Sequence, residues 1–163
     1  MSINTAPLHA GAGIAAALDG GELFTELAAL LSGEEITFRA DGTPHVHSLT
    51  DAERGPLRAA RGVQGILRRG TLRTGTSGRD VAQVVAVYLP NRIPDERALR
   101  ALHMTSQPLG QVLAPLGATR QSLGAMVVDD DEYAVRARGL VLIGGVPVAL
   151  AEEQVLRAFA LAP

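Results

Sequence analysis

The chain has no cysteine, no tryptophan and no lysine, and only two tyrosines and three phenylalanines among its 163 residues. Without cysteine there can be no disulfide, thiolate metal site or cysteine nucleophile, which fits a reducing cytoplasm. So few rings leave little to stack on nucleic-acid bases, and the core must be built mainly from Leu, Val, Ile and Ala. The formal net charge is −2, so no global basic field collects nucleic acid or anionic lipid, and neither is expected as a partner. No apolar run reaches the roughly 18 residues that cross a bilayer. No basic stretch precedes an apolar one at the N-terminus, so no signal peptide is read there. A cytoplasmic location is the expectation.

What remains is the balance of a packed domain, with 47% hydrophobic and 20% charged residues, which argues against long-range disorder. Residues 1–20 are rich in small side chains and are read as a flexible arm, with a short helix over AGAGIAAAL as the other reading. Their glycines follow no strand, which speaks against a nucleotide-binding loop. Residues 21–163 are read as a single domain.

Helical spacing of Leu23, Phe24, Leu27 and Leu30 predicts a helix over 22–31, closed by Ser32-Gly33. EITFRAD (35–41) alternates like a strand, and after the Asp41-Gly42 turn residues 45–48 are read as its returning partner. Residues 54–60 read as a short helix or a loop. Residues 63–74 and 79–89 flank TGTSG and predict a long hairpin rich in β-branched residues. Two helices follow, over 95–103 and 107–116, the second capped by Ser106 with Pro108 near its first turn. Strands over 120–128, 133–143 and 146–156 complete the chain, the last two joined by Gly144-Gly145. Segregated helices and strands predict an α+β fold, an antiparallel sheet of about six strands with helices on one face.

Arginine dominates the candidate chemistry, since all 15 basic residues are arginine. Arg68 and Arg69 are neighbours in one strand, so their side chains face opposite sides of the sheet. The inward one requires an anion, either an internal carboxylate or a bound ligand that its planar fork can hold. Glu152 and Glu153 pose the same choice at the end of the last strand, where the inward acid serves as proton carrier or as ion-pair partner. His45 and His47 share a face, but no third ligand is near them for a metal site. Asp129 to Glu132 read as a solvated turn, and Arg97, Arg100 and Arg120 as surface charges. No Gly-x-Ser-x-Gly motif or Ser-His-Asp arrangement appears.

The succession LRRGTL, a strand ending YLP, PLGQVL, RARGLVL and GVPVALAEE resembles the chorismate pyruvate-lyase family over roughly residues 65–156. The first sixty residues match only through a leading helix and the Thr37 strand. The resemblance implies an antiparallel sheet with a ligand buried beneath helical flaps. It also implies elimination of pyruvate from chorismate to give 4-hydroxybenzoate without metal or organic cofactor. Carried onto this chain, Arg68 holds the substrate carboxylate, with Arg69 as rival if the register shifts by one, and Glu152 assists proton transfer. Leu109 and Gly110 supply the flap backbone, and Arg138 lies in the arginine-bearing strand as a further substrate contact. Gly70 stands where the family has a larger apolar residue, which implies a wider pocket. The resemblance implies a monomer or weak dimer. The alternative is a non-catalytic small-molecule binding domain, as in effector domains of some bacterial transcription regulators, although the first sixty residues contain no helix-turn-helix pattern. A third reading is a structural protein whose arginines are all paired or exposed.

Overall fold

A computed structural model of the chain describes residues 6–104 and 106–161. The sequence is ordered as α1 (Ala6–Asp19), α2 (Phe24–Ser32), β1 (Ile36–Ala40), β2 (His45–Ser48), α3 (Asp51–Leu57), β3 (Gln64–Thr74), β4 (Asp80–Tyr88), α4 (Glu96–Met104), α5 (Leu109–Leu113), β5 (Thr119–Val127), β6 (Tyr133–Ile143), β7 (Val146–Leu156) and α6 (Arg157–Ala160). All strand pairings are antiparallel, in the spatial order β1-β3-β4-β7-β6-β5, with β2 also on β3. The expected α+β architecture is the one observed, with β2 as a seventh strand. Residues 6–19, within the segment read as an arm, form α1, whose Ile14 and Leu18 are buried in the core. The rest of that reading, residues 1–5, lies outside the described residues.

The sheet has two unlike faces because side chains alternate along each strand. On one face α1 and α2 bury Ile14, Leu18, Phe24 and Leu27 against Leu72, Val135 and Val155. On the same face α4 and α5 bury Leu102, Leu109 and Leu113 against Ala86, Tyr88, Val141 and Ala151. The opposite face is covered only in part, where Leu49 and Leu57 of the α3 region meet Val87, Leu140 and Leu150. Helix α3 therefore departs from a one-sided arrangement. A capping box fixes its start: Thr50 accepts from the Glu53 amide while the Glu53 carboxylate accepts from the Thr50 amide at 2.8 Å.

Two local expectations are corrected. Strand β2 does not return along β1. Ala40 pairs with Gly70 and His45 with Leu67, so β1 and β2 follow one another along the same edge of β3. The amide of Asp41 donates to the carbonyl of Arg69 at 2.8 Å, which keeps the chain on β3 through the excursion between them. Helix α5 begins at Leu109 with extended Pro108 as its cap, not Ser106. The Ser106 carbonyl instead accepts from the Phe38 amide at 2.6 Å, tying the segment before α5 to β1.

Candidate functional site

A cavity lies between the helical face of the sheet and the segment running from Pro108 into α5, with α2 at its side. Its wall is mainly apolar, including Phe24, Phe38, Leu72, Leu109 and Val141. The space open to water centres is about 40 Å³, room for roughly three waters. Among the described residues three charged side chains line it: Arg68, Arg120 and Glu153.

Arg68 is the inward member of its pair, 3% exposed, whereas Arg69 is exposed on the far face. Its guanidinium carbon is 3.9 Å from the centroid of the Phe38 ring, a cation–π arrangement that offsets part of its desolvation. Its Nη2 donates to the Gln107 carbonyl at 2.6 Å. Burial lowers its pKa to about 10, with Tyr88 acting in the opposite direction, so it remains charged at neutral pH. Gly70, one turn of the pleat away, does not widen the cavity as the resemblance implies. A Cβ there would overlap the edge of the Phe38 ring and the Arg39 carbonyl. The missing side chain is replaced by the ring on which Arg68 rests.

Glu153, not Glu152, is the inward acid of the last strand. It is 4% exposed and receives both terminal nitrogens of Arg120, Nη1 at 2.6 Å and Nη2 at 3.1 Å. Burial pushes its carboxyl up, and the Arg120 fork opposes that shift. Arg120 is therefore not a surface charge. It belongs to β5 and reaches Glu153 on β7 by crossing over β6 at Gly139, where any Cβ would collide with its guanidinium. The Nε of Arg120 has no hydrogen-bond partner among the described residues.

Glu152 points to the far face, as its cross-strand pairing with Val85 and Arg138 requires. There it lies 3.4 Å from Arg138 Nε, its side chain 61% exposed. Arg138 also donates to the Ala52 carbonyl of α3 at 2.9 Å. Neither residue reaches the cavity, and Arg69 does not either. Leu109 and Gly110 do line it, and a Cβ on Gly110 would stand 3.1 Å from Thr25 Oγ1. The sequence reading missed Arg120, Glu153 and Phe38 as a set. The one available sign was Gly139, a small residue inside the strand RARGLVL that leaves space for a large neighbour.

Elsewhere His47 pairs with Glu53 at 2.9 Å while His45 is exposed. No group of three metal-ligating side chains occurs among the described residues. Asp130 closes the acidic turn by accepting from the amides of Glu132 at 2.8 Å and Tyr133 at 3.0 Å. No helix among the described residues is long and apolar enough to cross a membrane.

No protein-family model matches the chain, and no curated protein sequence matches it. Solved structures do match, and they define the fold as that of GntR-type regulator effector domains, which is chorismate lyase-like. The effector domain of PhnF from Mycobacterium smegmatis is similar with a TM-score of 0.60 at 13% identity, over 82% of this chain and 88% of that one. The C-terminal domain of the histidine utilization repressor from Pseudomonas syringae pv. tomato gives 0.53 at 12% identity, over 75% and 92%. The possible transcriptional regulator YydK from Bacillus subtilis gives 0.52 at 8% identity over 74% of this chain. The chain spans 57% of YydK and 64% of the longer PhnF chain.

These findings correct the enzymatic expectation. The similar structures named above are regulators or effector domains of regulators. The acid assigned to proton transfer, Glu152, also faces away from the cavity, and the acid that does face it is engaged by Arg120. Chorismate, pyruvate and 4-hydroxybenzoate therefore have no support as substrate and products. The expectation that nucleic acid plays no part likewise finds no support, since the similar structures include a possible transcriptional regulator and a repressor domain.

Proposed function

We propose that this chain is a non-catalytic binding domain that senses a small anionic molecule in the cavity between α2, α5 and the sheet. The observation that carries this reading is the buried Arg68 guanidinium, held on Phe38 at the wall of a mainly apolar cavity whose other two charged side chains, Arg120 and Glu153, pair with each other. A planar, weakly hydrated cation in a dry site binds a carboxylate or similar anion through paired hydrogen bonds. The apolar wall adds affinity for a hydrocarbon body. Leu109 and Gly110 present the N-terminal end of the α5 segment as the cover. The segment is tied to Arg68 through Gln107 and to β1 through Ser106, so occupancy of the cavity acts on the elements that close it.

The structural neighbours, which are regulators or effector domains of regulators, favour a regulatory use of such binding. In this reading a change in the cover on ligand binding is passed to a DNA-binding segment or partner. The experiment is a calorimetric and thermal-shift comparison of small carboxylates with their neutral amides, on the wild type and on Arg68→Met. Carboxylates stabilise the wild type, amides do so less, Arg68→Met abolishes the difference, and the ligand is recovered chemically unchanged. Equal binding of acids and amides sinks the anion reading.

A further inference from the structure

The open sheet ends in β1 and β2 on one side and in β5 on the other. An edge strand pairs with other chains unless something blunts it. The β1 edge is blunted. It is 5 residues long, it carries exposed Arg39, and its Phe38 amide is taken by the Ser106 carbonyl at 2.6 Å. The β5 edge is different. Thr119–Val127 contains no proline, and its one charged residue, Arg120, is turned inward onto Glu153. Helix α1 packs on β5 from the helical face. The pairing with β6 fixes which backbone groups of β5 remain. The Val128 amide donates to the Ala134 carbonyl at 3.0 Å, and Met126 faces Arg136 in the same register. Amide direction alternates along a strand, so Val128 and Met126 bond towards β6, and Ala125 and Val127 direct their N–H and C=O outward. These outward groups form no hydrogen bond among the described residues. The bulge between Ser122 and Gly124 lies at the far end of this run, where the Ser122 hydroxyl accepts from the Gly124 amide at 3.1 Å.

The side chains on either side of Ala125 complement themselves. Gly124 and Met126 share the face away from the cavity, where they oppose Arg138 and Arg136. Met126 is 61% exposed. Gly124, with a φ of 131°, has no side chain and opens onto a groove of about 250 Å³ lined also by Leu123, Arg136 and Arg138. A two-fold axis at Ala125 sets Met126 of each copy opposite Gly124 of the other, a protruding side chain against a vacant position. Leu123 and Val127, both exposed apolar residues, are opposed in the same way. The acidic turns at residues 129–132 fall at opposite ends of such a pair, so their like charges stay apart.

We propose that β5 is an interaction surface for a second copy of this chain, pairing antiparallel with its own counterpart about a two-fold axis at Ala125. The two sheets then continue into one across the interface. This goes beyond the ligand-binding reading and does not depend on it. The contact consists of a short strand pair and a few apolar side chains, at the small end of specific interfaces. The dimer is therefore weak, with a dissociation constant in the micromolar range.

The test is sedimentation equilibrium of the full chain from a few micromolar to about 1 mM. The wild type is expected to pass from monomer to dimer over that range. Ala125→Pro removes the outward amide and leaves the ladder to β6 intact. Each dimer then loses the pair of hydrogen bonds that the two Ala125 residues exchange, and the dissociation constant is expected to rise at least about tenfold. Met126→Ala removes a side chain that is exposed in the monomer. It is expected to weaken the dimer about threefold or more with the urea midpoint unchanged. Cross-linking reads the register. Opposed Cα atoms in such a hydrogen-bonded pair lie about 5.5 Å apart, within reach of a disulfide. Ala125→Cys, in a chain that has no other cysteine, is expected to form a covalent dimer under mild oxidation. Thr43→Cys, at the opposite edge, is expected to form none. A wild type that stays monomeric to about 1 mM overturns the proposal. So does a dimer undiminished by Met126→Ala or in a folded Ala125→Pro protein, and so does Thr43→Cys cross-linking as readily as Ala125→Cys. If Ala125→Pro fails to fold, Met126→Ala and the cross-link decide.

Discussion

The guanidinium of Arg68 lies over the ring of Phe38 at 3.9 Å, and that ring occupies the space a side chain at position 70 would need. Three residues on two strands thus define one wall of the cavity. Replacing Phe38 by Leu removes the cation's support and part of the packing, with an expected loss of about 1–3 kcal/mol of stability and weaker anion binding. Gly70→Ala forces aside both the ring and the Arg39 carbonyl of β1. It is expected to cost about 1–3 kcal/mol and to reduce anion affinity without any change of charge. Urea titration and calorimetry on the two variants check both effects.

The Arg120–Glu153 pair predicts a strongly non-additive cycle. Arg120→Met or Glu153→Leu alone leaves one buried charge unanswered and is expected to cost about 3–5 kcal/mol. The double variant removes both charges and is expected to lie within about 1–2 kcal/mol of the wild type, because apolar replacement of buried ion pairs is often neutral. Denaturant midpoints of the four proteins measure the coupling. Additive losses would show that the two side chains act independently.

Acid sensitivity follows from carboxylates outside the cavity. Glu34 accepts from the amides of Thr76 and Ser77 and from the Ser77 hydroxyl, and Glu53 accepts from Thr50 and His47. Both are lowered below the ordinary 4.5, as Asp130 is below 3.8 through the Tyr133 and Glu132 amides. Each such group contributes stability that is present above its unfolded value and lost as pH falls through its lower folded value. Glu153 has the opposite sign. Its raised carboxyl takes up a proton more readily in the folded state, so its contribution to stability declines as pH rises above 4.5. Stability is expected to fall as pH drops from about 5 towards 3. Glu34→Gln and Glu53→Gln should each flatten that limb in urea midpoints recorded against pH.

The hairpin joining β6 and β7 is a sharp test of backbone demand. Gly144 and Gly145 have φ of 57° and 78°, the pair of positive values that a two-residue turn of the primed type requires. Gly144→Asn is expected to be tolerated. Gly145→Val is expected to cost about 1–2 kcal/mol or more, seen as a lower melting temperature with the fold retained.

The limits of reading this chain from its pattern are visible in three pairs of neighbours. LRRGTL places Arg68 and Arg69 on opposite faces, but both strand faces carry some apolar residues. Leu67 is half-buried by the α3 side and Leu72 fully buried by the other. Alternation alone therefore does not say which arginine is inward, and the family likeness happened to select the one that lines the cavity. At Glu152-Glu153 the same likeness selected the outward residue, because a shift of one position reverses every side chain. Ala40 and His45 look like the two arms of a hairpin, and only the register of β3, remote in sequence, shows that they share one edge. The element types themselves were legible, including β6 and β7 to their end residues, since the Gly144-Gly145 turn fixes where one strand stops and the next begins. Arg120 was illegible because its burial depends on Gly139, a vacancy on another strand.

That vacancy has a mechanical meaning. Arg120 is carried by the outermost strand on its side, Glu153 by a strand in the middle of the sheet, and the link between them passes over the strand they flank. It is a diagonal tie that braces the rim against the centre independently of the ladder of backbone bonds. Any strain that draws the rim outward is thereby borne in part by the cavity floor, so the chamber and the perimeter of the molecule deform together.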